Sequence, residues 1–206
     1  MVVAKLGVTN ASRVVAYDQK GIQSAPRLWW LLRLFGHEKA AVLDGGLPKW
    51  KAEGRAIEAG DPAPAPAGTF VPDFNTSRLA GIGDVKRALA DGGALVLDAR
   101  AAGRFAGTAP EPRPGLRSGH MPGAANLPFA ELLNSDQTMK DADALRALFA
   151  ARGANETRPL ITSCGTGITA CVLALGAVRA GLAEPAVYDG SWTEWASRPE
   201  TPKAPR

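Results

Sequence analysis

The chemistry in this chain is concentrated in Ile161-Thr162-Ser163-Cys164-Gly165-Thr166-Gly167-Ile168-Thr169-Ala170. The apolar run from Pro159 to Thr162 predicts a buried strand and the stretch Cys171 to Ala180 predicts a helix. Cys164 then falls at the mouth of a strand–loop–helix turn. Loop N–H groups and the start of a helix carry partial positive charge, so a thiolate there is favoured below the free-cysteine pKa of about 8.5. Gly165 and Gly167 permit backbone conformations that a side chain would block, and they let an anion sit close. The pattern predicts a nucleophilic cysteine in an anion cradle.

Two arginines could face such a thiol. Arg104 and Arg113 lie nine residues apart in Gly103-Arg104-Phe105 and Pro112-Arg113-Pro114, within a proline-rich stretch from Ala101 to Pro122 that reads as one long irregular loop. Arginine presents a planar fork suited to a carboxylate or a sulfur oxyanion. The other titratable candidates read as structural. His120 sits in a turn before a strand and reads as a hydrogen-bonder, His37 follows a helix stop and reads as a surface residue, and Cys171 lies one turn into its helix and reads as core.

The whole chain bounds what these residues can belong to. Its 206 residues, 46% hydrophobic and 21% charged, are those of a soluble globular protein with a sizeable core. The net charge of +4 is not gathered into basic runs interleaved with aromatics, so nucleic acid is not an expected partner. Two cysteines and two histidines lack any metal-ligand spacing, and no cofactor motif is present, so neither a metal nor a cofactor is expected. No disulfide framework, secretory leader or membrane-spanning run is legible, and the expected compartment is the cytoplasm.

The elements that must position the cysteine repeat. Strand signals at Val14–Tyr17 and Ala40–Leu43 flank a predicted helix, Ala25–Gly36, with Pro26 near its first turn and an apolar stripe of Leu28, Leu31, Leu32 and Phe35. A short Trp50-bearing helix follows over Leu47–Gly54. Asp18 matches Cys164 at an offset of 146 residues, and Asp44-Gly45-Gly46 matches Asp189-Gly190-Ser191 at 145. Trp50 likewise matches Trp195 at 145. The first copy has only 13 residues ahead of its strand at Val14, and an aspartate at the nucleophile position. It is read as an inactive domain over residues 1–57, either truncated or entered late by the given start, joined by a Pro/Ala linker at 58–68 to a catalytic domain over 69–206. In the second copy the expected elements are an edge strand at Phe70-Val71, a helix Gly81–Asp91, strands Ala94–Leu97 and Ala124–Leu127, a helix Asp141–Arg152 and a strand Ala186–Tyr188. The fold class is α/β, a three-layer domain with a parallel sheet flanked by helices, preceded by a partial copy of the same fold.

Taken in order, Asp98-Ala99-Arg100, Gly103-Arg104-Phe105-Ala106-Gly107-Thr108 with Glu111-Pro112-Arg113, Gly119-His120-Met121-Pro122-Gly123-Ala124 with Asn126, the Cys164 loop and Tyr188-Asp189-Gly190-Ser191-Trp192 resemble the catalytic half of the two-domain rhodanese-like sulfurtransferases. The loop Cys-Gly-Thr-Gly-Ile-Thr resembles the 3-mercaptopyruvate type rather than the thiosulfate type, whose loop carries Arg and Lys after the cysteine. Ala25-Pro26-Arg27, Trp29-Trp30 and Val42-Leu43-Asp44-Gly45-Gly46 resemble the inactive first domain of that family.

The resemblance implies a sulfurtransferase that carries sulfane sulfur as a persulfide on Cys164, taken from 3-mercaptopyruvate or thiosulfate and passed to a thiol, thioredoxin-like or cyanide acceptor. It implies that Arg104 and Arg113 hold the donor carboxylate, that Arg100 supports the loop, and that Gly165, Thr166, Gly167, Ile168 and Thr169 supply the amides around the sulfur. Two rivals bear on this. A cysteine phosphatase on the same fold needs an arginine six positions after the cysteine, where this chain has Ala170. A non-catalytic or weakened rhodanese-like module that binds sulfur or a partner is the alternative, motivated by the incomplete first copy.

Overall fold

The computed structural model describes residues 2–61, 63 and 65–205. The first segment holds α1 (Val2–Lys5), β1 (Val14–Ala16), α2 (Ala25–Leu34), β2 (Ala40–Val42) and α3 (Gly46–Ala52). β1 and β2 pair in parallel, Val14 opposite Ala40 and Ala16 opposite Val42. Two strands alone make a marginal sheet. This one is held by α2, which passes from β1 to β2 and packs on the second segment.

The second segment contains β3 (Leu79–Ala80), α4 (Ile82–Asp91), β4 (Leu95–Asp98), α5 (Ala102–Ala106), β5 (Ala125–Asn126), α6 (Ala142–Ala150), β6 (Leu160–Ser163), α7 (Ala170–Arg179), β7 (Ala186–Tyr188) and α8 (Ser191–Ser197). Its five strands form an all-parallel sheet in the order β3-β7-β6-β4-β5. β4 and β6 are buried at every position, as expected of central strands covered on both faces. Side chains alternate between two cores. Leu95, Leu97, Leu160 and Val187 join Leu173, Phe149 and Leu127 on one face, whereas Val96, Ile161 and Tyr188 join Val85, Trp192 and Trp195 on the other.

The two segments share a core. Trp29, Trp30 and Leu34 of α2 lie in the same apolar cluster as Leu173 and Cys171 of α7. The Trp30 indole N–H reaches the Arg78 carbonyl at 3.0 Å, and Arg33 donates to Glu184 at 3.0 and 2.7 Å. The outer side of β1 is open, with Val15 58% and Tyr17 60% exposed.

Several expectations need correction. Phe70-Val71 is not a strand: the Asn10 side-chain amide donates to the Val71 carbonyl and accepts its N–H, both at 2.8 Å, so a side chain satisfies the backbone that a sheet edge would have taken. The stretch from Ala101 to Pro122 is not wholly irregular, because α5 lies inside it and ends at Gly107 (φ +80°). His37 is not a surface residue. It is 1% exposed, lies 5.8 Å from the Phe70 ring, and has no hydrogen-bond partner at either ring nitrogen.

Candidate active site

Cys164 is the residue after β6, at the carboxyl end of a central strand where an open parallel sheet places its ligands. It is 2% exposed, so the thiol lies at the floor of a cleft rather than at its mouth. That cleft, about 280 Å³, is bordered by Cys164, Gly165, Thr166, Ile168 and Thr169 of the loop, by Arg104, Glu111 and Arg113, and by Gln23 from the first segment.

The loop is built by fastening its carbonyls. The Cys164 carbonyl accepts the Trp192 N–H at 2.9 Å. The Gly165 carbonyl accepts the Thr193 N–H at 3.0 Å and the Thr193 hydroxyl at 2.6 Å. The Gly167 carbonyl accepts Arg27 Nη1 at 3.2 Å and the Cys171 thiol at 3.3 Å. In a planar trans peptide the next residue's N–H points opposite to the carbonyl. The amides of Gly165, Thr166 and Ile168 are therefore turned away from these partners, and among the described residues the amides of 165 to 169 have no protein acceptor. The loop thus offers unpaired N–H groups beside the sulfur, which is what an anion site requires.

The first segment supplies an internal comparison. Asp18, at the position equivalent to Cys164, accepts the amides of Lys20, Gln23, Ser24 and Ala25 at 2.8–2.9 Å. Burial opposes its ionisation, but these four amides outweigh it and hold the carboxyl below its ordinary value. The same turn in the same fold already cradles a carboxylate. Where cysteine stands instead, the amides are left for the thiolate or for a second sulfur on it.

Ser191, which the sequence places in a motif but not in the site, and Thr193 hold the loop from α8. Ser191 Oγ accepts the Cys164 N–H at 3.1 Å, donates to the Tyr188 carbonyl at 2.8 Å and lies 4.0 Å from the thiol sulfur. Ser191 pays for this with a left-handed backbone, φ 51°. Cys171, by contrast, is fully buried, and that burial pushes its thiol well above the ordinary range. Cys164 is the cysteine that borders the cleft.

The arginines separate into two roles. Arg100 has a fully buried side chain, out of a ligand's reach. It donates to Asp98 at 3.0, 3.0 and 2.6 Å, to Glu111 at 2.9 Å and to the Gly119 carbonyl at 2.7 Å, with its guanidinium 4.5 Å from the Trp192 ring centroid. Asn126 braces the same corner by donating to the Asp98 and Arg100 carbonyls, each at 2.8 Å. Arg104 reaches the cleft from α5 and is oriented by Glu111, through Nε at 3.1 Å and Nη2 at 2.5 Å. Its Nη2 lies 2.9 Å from the point where a Cβ on Gly165 would stand, and no acceptor among the described residues takes its Nη1. Arg113 is exposed, and among the described residues its side chain has no partner. Asp98, Arg100, Glu111 and Arg104 neutralise one another, which leaves Arg113 as the surplus positive charge of the cleft. His120 stacks on Phe105 at 4.0 Å and bonds its carbonyl through Nδ1 at 2.8 Å, which fixes α5 under Arg104.

A parallel sheet whose central strand ends in a cysteine ringed by free loop amides defines a rhodanese-like protein. Residues 2–53 and 82–198 match the Rhodanese-like domain, and the chain belongs to that family. Among relatives, the 3-mercaptopyruvate sulfurtransferase of Homo sapiens is 42% identical over 95% of this chain and 67% of its own length, and that of Escherichia coli is 40% identical over 98% and 71%. The "Thiosulfate/3-mercaptopyruvate sulfurtransferase 1, mitochondrial" of Arabidopsis thaliana is 42% identical over 96% of this chain but only 57% of its own length. The chain therefore spans between 57% and 71% of these relatives. The crystal structure of SseA from Escherichia coli, a 3-mercaptopyruvate sulfotransferase by its description, superposes with a TM-score of 0.81 at 37% identity, covering 93% of this chain and 71% of that one.

Proposed function

We propose that the chain is a sulfurtransferase that takes sulfur from a small anionic donor, with 3-mercaptopyruvate ahead of thiosulfate. One observation carries the reading. Arg104 and Arg113 stand on the wall of the cleft whose floor is Cys164, so a short acid bound to them puts its sulfur within reach of the thiol. The Cys164 thiolate attacks the donor's thiol sulfur, forming an S–S bond as the C–S bond breaks. The electron pair stays on carbon as the enolate of pyruvate, which takes a proton. The persulfide on Cys164 is then attacked at its outer sulfur by an acceptor thiolate, or by cyanide, and the Cys164 thiolate leaves. The free amides of Gly165, Thr166, Ile168 and their neighbours stabilise whichever sulfur bears the charge. The donor order rests on the loop, whose residues after the cysteine are neutral and so favour recognition of a carboxylate by the two arginines.

Within this reading Arg100 is a support, residues 1–57 form the inactive copy, 58–68 the linker and 69–206 the catalytic unit. The acceptor is a thiol or thioredoxin-like protein. The compartment is the cytoplasm, consistent with two free cysteines; no helix among the described residues is long and apolar enough to cross a membrane.

The test is to incubate the chain with 3-mercaptopyruvate and follow pyruvate release together with the mass of the Cys164 peptide. Pyruvate release with a gain of about 32 Da, one sulfur atom, lost in Cys164→Ser, is the expected result. Equal rates in the two proteins would defeat it and favour the non-catalytic module.

A further inference from the structure

We propose that Arg27, in the inactive copy, is a positioning residue for the sulfur site: its guanidinium holds the Gly167 carbonyl outward so that the Ile168 N–H stays turned to the loop's inner side. The inference rests on reading Cys164 as the nucleophile. Nothing in the catalytic motifs themselves points to Arg27, which lies 140 residues away in sequence.

The contact is made by one atom. Arg27 Nη1 donates to the Gly167 carbonyl at 3.2 Å and to Asp189 Oδ1 at 2.6 Å, so Asp189 fixes the guanidinium that fixes the loop. A Cβ on Gly167 (φ +79°) would stand 2.9 Å from that same Nη1 and 2.5 Å from Asp189 Oδ1, so this pair approaches the backbone as closely as glycine allows. From the other side the Cys171 thiol donates to the same carbonyl at 3.3 Å. The Gly167–Ile168 peptide therefore has one orientation, and its N–H is one of the unpaired loop amides.

Arg27 is aimed by the very feature that makes the first copy inert. It lies in the first turn of α2, and Asp18 gathers the Gln23, Ser24 and Ala25 amides that lead into that turn. The guanidinium also sits 5.6 Å from the Trp30 ring centroid, over the core shared by the two segments. The aspartate that cannot carry sulfur instead anchors the helix that reaches across to the copy that can. The charged and titratable groups around the loop are Arg27, Asp189, Cys171, Arg104, Glu111 and Arg113.

The test is the pH dependence of Cys164 alkylation by iodoacetamide in the full chain, read by peptide mass so that Cys171 is scored apart, at 0.1 and 1 M salt. Arg27→Gln is expected to raise the midpoint by about half a unit to one unit, a three- to tenfold slower reaction below it. The donor KM should stay unchanged in both salts. Because the Arg27 charge also acts on Cys164 and is partly buried, where salt screens it little, Arg27→Lys is measured beside it: it keeps the charge on a side chain too short to reach the Gly167 carbonyl as Nη1 does. A raised midpoint in Arg27→Lys supports the latch; a midpoint raised in Arg27→Gln alone, or in neither variant, overturns it. Alkylation needs no sulfur donor, so failure of this test and failure of the transfer reading are separate results.

Discussion

Ser191 and Gly46 stand at equivalent positions of the two copies and share one left-handed backbone, φ 51° and φ 55°. Glycine adopts that conformation freely, whereas a residue with a Cβ gives up about 1–2 kcal/mol. In the second copy the cost is borne because Ser191 Oγ accepts the Cys164 N–H and lies near its sulfur. Ser191→Gly should thus slow sulfur transfer and yet be more stable than Ser191→Ala by about 1 kcal/mol, the reverse of the usual Gly–Ala order, because both lose the hydroxyl and only Ala keeps the strain. Chemical denaturation of the two variants checks this. An Ala variant at least as stable as Gly would mean that the strain is not there.

Gly165 reports on the donor site rather than on the fold. A Cβ there would stand 2.9 Å from Arg104 Nη2, and that guanidinium has no free play because Glu111 grips it at two points. Gly165→Ala should displace Arg104 and raise the KM for 3-mercaptopyruvate about tenfold, a loss of one charge-assisted bond. Its denaturation midpoint should fall less than that of Glu111→Gln, because Glu111 keeps its charge and its bond to Arg100. A loss confined to kcat would place the arginine away from the donor.

The Cys164 turn was legible because everything that shapes it is local: an apolar run, a cysteine and two closely spaced glycines over ten residues. The repeat was legible because Asp-Gly and the Trp-bearing helix recur at one spacing. Arg27, Ser191 and Thr193 were not, because they meet the loop across 140, 27 and 28 residues and no local pattern encodes such a meeting. α5 was hidden because its five residues are too few to show a helical period inside a proline-rich stretch. His37 was misplaced because a position after a helix stop is normally solvated, and here the chain returns with Phe70 to cover it.

Glu184 links the segments through charge, and its pH dependence has a definite sign. Burial raises its carboxyl's pKa, but the Arg33 hydrogen bonds and the charges of Arg33 and Arg78 outweigh that and leave it below its ordinary value. A lowered folded value means that the stabilisation is present above the unfolded value of about 4.3 and is lost as pH falls through the folded one. Glu184→Gln should be less stable than the parent by about 1–3 kcal/mol at pH 7, with the gap closing below pH 4. A gap of the same size at both pH values would assign the effect to packing.

Glu111 is where stability and donor binding are coupled most directly. One carboxylate, 2% exposed, takes Arg100 Nη1 at 2.9 Å and Arg104 Nε at 3.1 Å on one oxygen, and Arg104 Nη2 at 2.5 Å on the other. Glu111→Gln keeps one acceptor and sets an amide N–H₂ against a guanidinium, so two donors face each other. It also leaves the buried Asp98–Arg100–Arg104 set one negative charge short. The expected cost is about 3 kcal/mol of stability, typical of a broken buried ion pair, with a rise in donor KM as Arg104 swings free. Arg113→Ala should raise the KM as well but leave stability unchanged, because that side chain is exposed and touches no partner among the described residues. Arg113→Ala takes a positive charge from the cleft and Glu111→Gln takes a negative one, so the alkylation midpoint of Cys164 should rise in the first variant and fall in the second. Denaturation, donor KM and the alkylation profile measured together separate the three roles: a Glu111→Gln protein that melts like the parent would show that the Asp98–Arg100–Glu111–Arg104 chain is not held as a charged unit.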